Sequence, residues 1–266
     1  MTLKGFTTLN NFKGKPELFL ILTAAIIFRS ESIQSVFSFD YDQQVPAEAA
    51  YNFFVNHRLT LVGQELSFPG FFLGPIHNWI QFIPYGICNL SPGCIPYFFS
   101  LMGLITTVIL YFVAKEILSK KIATITSTIY ALSFATVQLE GGVNSNYFLF
   151  PVALIVWYSL YKYFQGQNSY LFLGSFITGM AAVNFNPLFI FTTIAYFTTV
   201  LIWRKPNLKL AIVCILLFFS NYLPLIIFNL RHENILVMNL INFLNQNSGD
   251  NNFSLKTFLL SKNVLL

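Results

Sequence analysis

The sequence predicts an all-α fold, a polytopic transmembrane bundle of about seven spans with its N-terminus inside and its C-terminus outside. Three observations carry this. Of 266 residues 55% are hydrophobic and only 9% charged, against roughly 25% charged in an average soluble domain. The apolar residues are gathered into uncharged blocks close to the ~20 residues that cross a hydrocarbon core of about 30 Å. The segments between these blocks alternate in basic charge, as cytoplasmic and outer loops do.

In chain order, the first block, 18–28, is short and flanked by Glu17 and Arg29. It spans if Arg29 snorkels toward the headgroups and the helix continues to about Phe37. A secretory signal peptide is the alternative, because Lys4, Lys13 and Lys15 precede it, but Phe28-Arg29-Ser30-Glu31-Ser32 lacks a small-x-small cleavage pattern. Six clearer blocks follow at 95–114, 122–139, 143–161, 169–186, 187–203 and 210–229. With the N-terminus inside, Lys4, Lys13, Lys15, Lys115, Lys120, Lys121, Lys162, Arg204, Lys205 and Lys209 all fall inside, ten of the fifteen basic residues. Eight acids fall outside and two inside, and His57, His77 and His232 are all outer. The chemistry is therefore expected on the outer face. The net charge of +5 belongs to topology. No Arg/Lys patch is interleaved with stacking aromatics, so no nucleic acid is expected as partner.

The segment from about 30 to 96 is too apolar for a solvated loop and too interrupted for a crossing. A helix is predicted from Pro46 to His57, with Pro46 in its first turn. Ala47, Ala50, Tyr51, Phe54 and Val55 form one apolar face, which suits the headgroup plane. A second interfacial helix is predicted from Gly74-Pro75 to about Gly86. Ahead of both stands Asp40-Tyr41-Asp42. If the backbone there is extended, the two carboxylates share a face and could hold a divalent cation or raise one another's pKa. Solvating charges at headgroup level are the equal alternative. Cys88 and Cys94 share an outer turn and could pair in an oxidising compartment, with unpaired thiols as open a reading.

This layout resembles the N-terminal part of the GT-C superfamily of membrane glycosyltransferases, in particular the family-39-like enzymes that include protein O-mannosyltransferases and lipid A aminoarabinose transferases. The residues that carry the resemblance are Asp40-Tyr41-Asp42-Gln43, Gly74-Pro75-Ile76-His77-Asn78-Trp79, Val143-Asn144-Ser145-Asn146 and the Pro-x-x-x-Phe-x-x-Arg-His run from Pro224 to His232. It extends from about residue 16 to 235, over a chain read as one transmembrane domain, 1–266. Such enzymes are commonly longer, so the outer segment 230–266 is expected to be a truncated end.

The resemblance implies inverting transfer of a sugar from a polyprenyl-phosphate donor to a hydroxyl of a lipid, glycan or protein on the outer face of the cell membrane. It implies Asp42 as first candidate for the base, with Asp40 second. Arg231, Arg58 and His232 are candidates for the lipid phosphate, and His77, Glu140 and Asn144 for the pocket lining. A divalent metal held by Asp40 and Asp42 is the cofactor that this motif allows. The sequence departs from the family at Gln43, where a Glu is usual, and at Asn144 or Asn146, where some members carry an acid. The alternative is a non-catalytic relative or a transporter of lipid-linked sugar. No nucleotide loop, zinc spacing or Ser-His-Asp arrangement appears.

Overall fold

The computed structural model describes residues 16–36, 39, 41–67 and 70–249. Helices account for most of the described chain: α1 (Pro16–Val36), α2 (Tyr41–Phe54), α3 (Ile76–Ile87), α4 (Ile95–Ile117), α5 (Lys120–Ala131), α6 (Phe134–Gly141), α7 (Leu149–Phe164), α8 (Ser169–Asn184), α9 (Phe189–Trp203), α10 (Leu208–Phe219), α11 (Leu223–Arg231) and α12 (Ile235–Gly249). Three stretches are long and apolar enough to cross a membrane: Pro92–Ile117, Ser145–Phe164 and Leu208–Arg231. The bent pair α5–α6 makes a fourth when taken together, and α8 and α9 are shorter apolar helices. The protein is an all-α membrane bundle.

Each block expected to span is helical, with two corrections. The block 122–139 is not one straight helix: it breaks at Leu132-Ser133 and the halves meet at 53°. Neither Pro nor Gly stands at the break, so its cause is tertiary. Arg29 does not snorkel. It is 2% exposed, fourteen residues into α1, and donates to both carboxylate oxygens of Glu140 on α6 and to the Ala131 carbonyl at the end of α5. In the last span, a single-turn 3-10 helix at Ser220–Tyr222 joins α10 to α11, with Pro224 in the first turn of the new helix.

The bundle core lies where α4, α7, α8 and α10 meet, around Phe99, Tyr147, Phe148, Val156, Ala181, Tyr196 and Cys214. Large apolar side chains remain exposed along the spans, among them Phe191, Leu201, Ile215 and Leu216. In a soluble protein such a surface would aggregate; in a bilayer it faces lipid.

The two interfacial helices pack on each other, with Phe53 stacked on Phe82 at 4.7 Å. α3 is amphipathic in the reverse sense to a soluble helix. His77, Asn78, Gln81 and Tyr85 face the bundle and are buried, while Ile83 and Ile87 are exposed. A helix resting on lipid with its polar face against protein has this pattern. Cys88 and Cys94 are joined as a disulfide that closes the α3–α4 turn. α2 starts at Tyr41, five residues before the expected Pro46, so Asp42 is helical rather than extended. The extended two-carboxylate geometry does not hold at Asp42, and Asp40 lies outside the described residues.

Candidate active site

A cleft of about 560 Å³, in which carboxylates and amides stand among apolar side chains, lies where α2, the 64–73 loop and the turns before α7 and α9 converge. Asp42 stands on one wall, in the first turn of α2, where the free N–H groups of a helix favour a carboxylate. Gln64 Nε2 donates to Asp42 Oδ1. The next residue, Gln43, is buried and donates from Nε2 to the Gly142 carbonyl. The start of α2 is thus tied both to the loop and to the end of α6.

The wall formed by the turns before α7 and α9 carries three amides, Asn144, Asn146 and Asn186, beside Ser145 and the apolar Phe185, Pro187 and Leu188. Asn144 Oδ1 accepts from the Asn146 N–H at 2.7 Å, starting the 3-10 turn Ser145–Phe148. Ser145 Oγ donates to the Phe185 carbonyl at 3.0 Å. Asn186 donates to Asn146 Oδ1 at 2.8 Å and accepts from the Leu188 N–H at 2.9 Å. Behind this wall buried Asn184 accepts from the Ile76 N–H at 3.1 Å, and its Oδ1 occupies the space a Cβ on Gly74 would need. Only glycine at 74 lets α3 start against α8. Glu65 also lines the cleft, with Oε1 accepting from the Gly70 N–H at 2.6 Å.

Among the described residues lining this cleft none is Lys, Arg or His; its charges are the two carboxylates Asp42 and Glu65. Those carboxylates and the neighbouring amide oxygens are hard donors of the kind Ca²⁺ or Mg²⁺ takes. Among the described residues, however, no three His, Cys, Asp or Glu side chains gather around one point. The donor set among the described residues falls short of a dedicated metal site.

Of the residues expected at the site, the structure brings Asp42 and Asn144 together on the cleft. Glu140 does not line it: the side chain is 2% exposed and committed to Arg29. His77 is also buried behind it, its ring 5.9 Å from Phe148, which in turn stacks on Phe185 of the cleft wall at 4.9 Å. Arg58, Arg231 and His232 are exposed and outside the lining, with His232 folded onto Phe228. Residues that sequence reasoning left without a role here are Gln64, Glu65, Ser145 and Asn186. The available signal was a recurrence of Asn, Gln and Ser at the ends of the apolar blocks.

His77 yields a pH prediction. Burial lowers its pKa from 6.5 to about 4, so between those values the unfolded chain binds a proton that the folded chain does not. Its stability contribution is complete above pH 6.5 and is lost as pH falls toward 4, by about 3 kcal/mol in all. The thermal midpoint of detergent-solubilised protein is expected to drop between pH 7 and 4.5, and His77→Gln is expected to flatten that drop.

Beside the cleft runs a nearly wholly apolar groove of about 500 Å³, between α8, α9 and α10 and bordered by Leu171, Cys214 and Phe218. The turn before α9 lines the cleft through Pro187 and Leu188, and on α9 itself Ile190, Ile194, Phe197 and Leu201, spaced three and four apart on one helix face, line the groove. This face covers about 17 Å of helix from Ile190 to Leu201.

Residues 73–227 match the family described as dolichyl-phosphate-mannose-protein mannosyltransferase. The match covers more than half of the chain and takes in α3 to α10 and the amide wall; Asp42 lies N-terminal to it. No curated protein and no solved structure matches the chain. An all-α membrane bundle with this match is a membrane glycosyltransferase of the GT-C type, and the chain belongs to the dolichyl-phosphate-mannose-protein mannosyltransferase family.

Proposed function

We propose that the chain transfers a sugar, with inversion, from a polyprenyl-phosphate donor to a hydroxyl of a protein, lipid or glycan acceptor at the outer face of the cell membrane. The observation that carries this reading is that the turn before α9 lines the cleft of carboxylates and amides through Pro187 and Leu188, while α9 itself lines an apolar groove from Ile190 onward. A lipid-linked sugar needs both environments side by side, since its headgroup is polar and its chain stays in the bilayer. In this reading the chain crosses seven times with its N-terminus inside, the first crossing being α1. The Cys88–Cys94 disulfide supports an outer placement of the α3–α4 turn, because such bonds persist in oxidising compartments.

The chemistry follows from the cleft. The acceptor O–H donates its proton to the Asp42 carboxylate as its oxygen attacks the anomeric carbon. The bond from that carbon to the phosphate oxygen breaks, and the polyprenyl phosphate leaves with the electron pair. Glu65, Asn144 and Asn186 offer hydrogen bonds to sugar and acceptor hydroxyls. Arg231 and His232, at the end of α11, and Arg58, after α2, are the outer cations proposed to meet the phosphate at the cleft mouth. α11 and α12 pack on the loop that forms a cleft wall, through Phe228 with Phe72 and Asn239 with the Gly70 carbonyl.

The experiment is to incubate membranes carrying the protein with polyprenyl-phosphate mannose labelled in the sugar. A new labelled glycoside is expected. Movement of intact labelled lipid across the membrane with no glycoside formed would instead identify a transporter.

A further inference from the structure

We propose that the buried Arg29–Glu140 pair is a positioning clasp for the cleft: it holds the α5–α6 bend and, through Gly142 and Gln43, sets where Asp42 stands. Arg29 Nε and Nη2 donate to the two Glu140 oxygens at 2.9 and 2.8 Å, and both side chains are 2% exposed. Its Nη1 donates to the Ala131 carbonyl, the last of α5. A broken helix at membrane depth leaves polar backbone in need of partners, and Arg29 supplies one while pairing with the helix beyond the break. With Nε and both terminal nitrogens each engaged in one hydrogen bond and the side chain closed to solvent, Arg29 offers no open site to a phosphate.

The clasp has a built seat. A Cβ on Gly103 of α4 would collide with the Glu140 carboxylate, so glycine at 103 makes the room. α6 then ends in a strained corner: Val143, buried and β-branched, has φ +49°. Such a conformation persists only where its surroundings over-determine it. Here the Val143 N–H bonds to the Glu140 carbonyl at 3.3 Å, and Gln43 bonds to the Gly142 carbonyl. That corner delivers Asn144 to one wall of the cleft, and Gln43 is the neighbour of Asp42 on the other. A buried ion pair contributes little net stability over an apolar pair of similar size, and here its three hydrogen bonds tie α1 to both halves of the bend. Arg29 and Glu140 are therefore positioning residues rather than catalytic ones. Their effect on catalysis rests on the proposed role of Asp42; their effect on geometry does not.

The test uses the full chain with Gln43→Cys and Gly142→Cys, a pair that replaces the Gln43 hydrogen bond and so reads whether Arg29 and Glu140 by themselves hold the α6 corner beside the start of α2. Gly142 has φ −69° and no atom nearer than 3.4 Å to a built Cβ, so it accommodates the change. A short bifunctional thiol reagent is expected to join this pair efficiently, and at least fivefold less when Arg29→Leu and Glu140→Leu are added together. In the chain without the cysteines, the double Leu variant is expected to lower kcat for sugar transfer at least tenfold with donor KM within twofold, and Arg29→Lys is expected to restore part of it over Arg29→Leu. Unchanged cross-linking in the double Leu variant overturns the clasp. If that variant does not fold, Gly103→Ala, which displaces Glu140 and keeps both charges, is read the same way. Lost cross-linking together with a parent chain that shows no transfer supports the clasp and contradicts the transferase reading.

Discussion

Asp42→Asn is expected to lower kcat for sugar transfer by about 10²- to 10⁴-fold, the usual contribution of a general base. The donor KM is expected to hold within a few-fold. Asn keeps the size of the side chain, still accepts the Gln64 hydrogen bond through its oxygen and still suits the first turn of α2. What it cannot do is take the acceptor proton. Initial rates on membranes with matched protein amounts measure the effect. Retention of most activity would remove Asp42 as the base and leave family membership standing, since the match begins beyond it at Leu73.

The second large effect is on stability. Arg29→Leu or Glu140→Leu alone leaves a buried charge without its partner, which costs about 3–5 kcal/mol. For a chain of this size that lowers the thermal midpoint by on the order of 10 °C. Removing both charges together is expected to recover most of the loss, because each single variant suffers chiefly from the stranded partner. Thermal midpoints of the parent, the two singles and the double in detergent close the cycle. Additive losses would contradict the pairing.

Much of the bundle was legible in the sequence. Blocks of about 20 apolar residues and the placement of Lys115, Lys120, Lys121, Arg204 and Lys205 marked the helices, because hydrocarbon demands internally satisfied backbone and leaves little room for charge. The break in α5–α6 was not legible. No Pro or Gly marks Leu132-Ser133, and its partner Arg29 lies 102 residues from Ala131 in sequence. For the same reason Glu140 reads as a pocket-lining acid at the end of a span when seen in sequence; only the fold sets it beside Arg29 and over Gly103. The start of α2 was placed late because Pro46 suits a first turn, yet here it is the sixth residue of the helix. Asp42 was chosen through a resemblance, and the cleft gives it a physical setting. The amides around it, Gln64, Asn144, Asn146 and Asn186, come from three separate stretches of chain and converge only in the fold.

In the proposed reaction sugar leaves a lipid phosphate for an acceptor hydroxyl in one displacement at this cleft. This is tested most directly by purified chain in liposomes, given polyprenyl-phosphate mannose of defined anomeric configuration and an acceptor fraction, with the product's configuration read by NMR. A product of opposite configuration, formed by the parent and not by Asp42→Asn, is the predicted result. A product that retains the donor's configuration, or equal yield from Asp42→Asn, would contradict it.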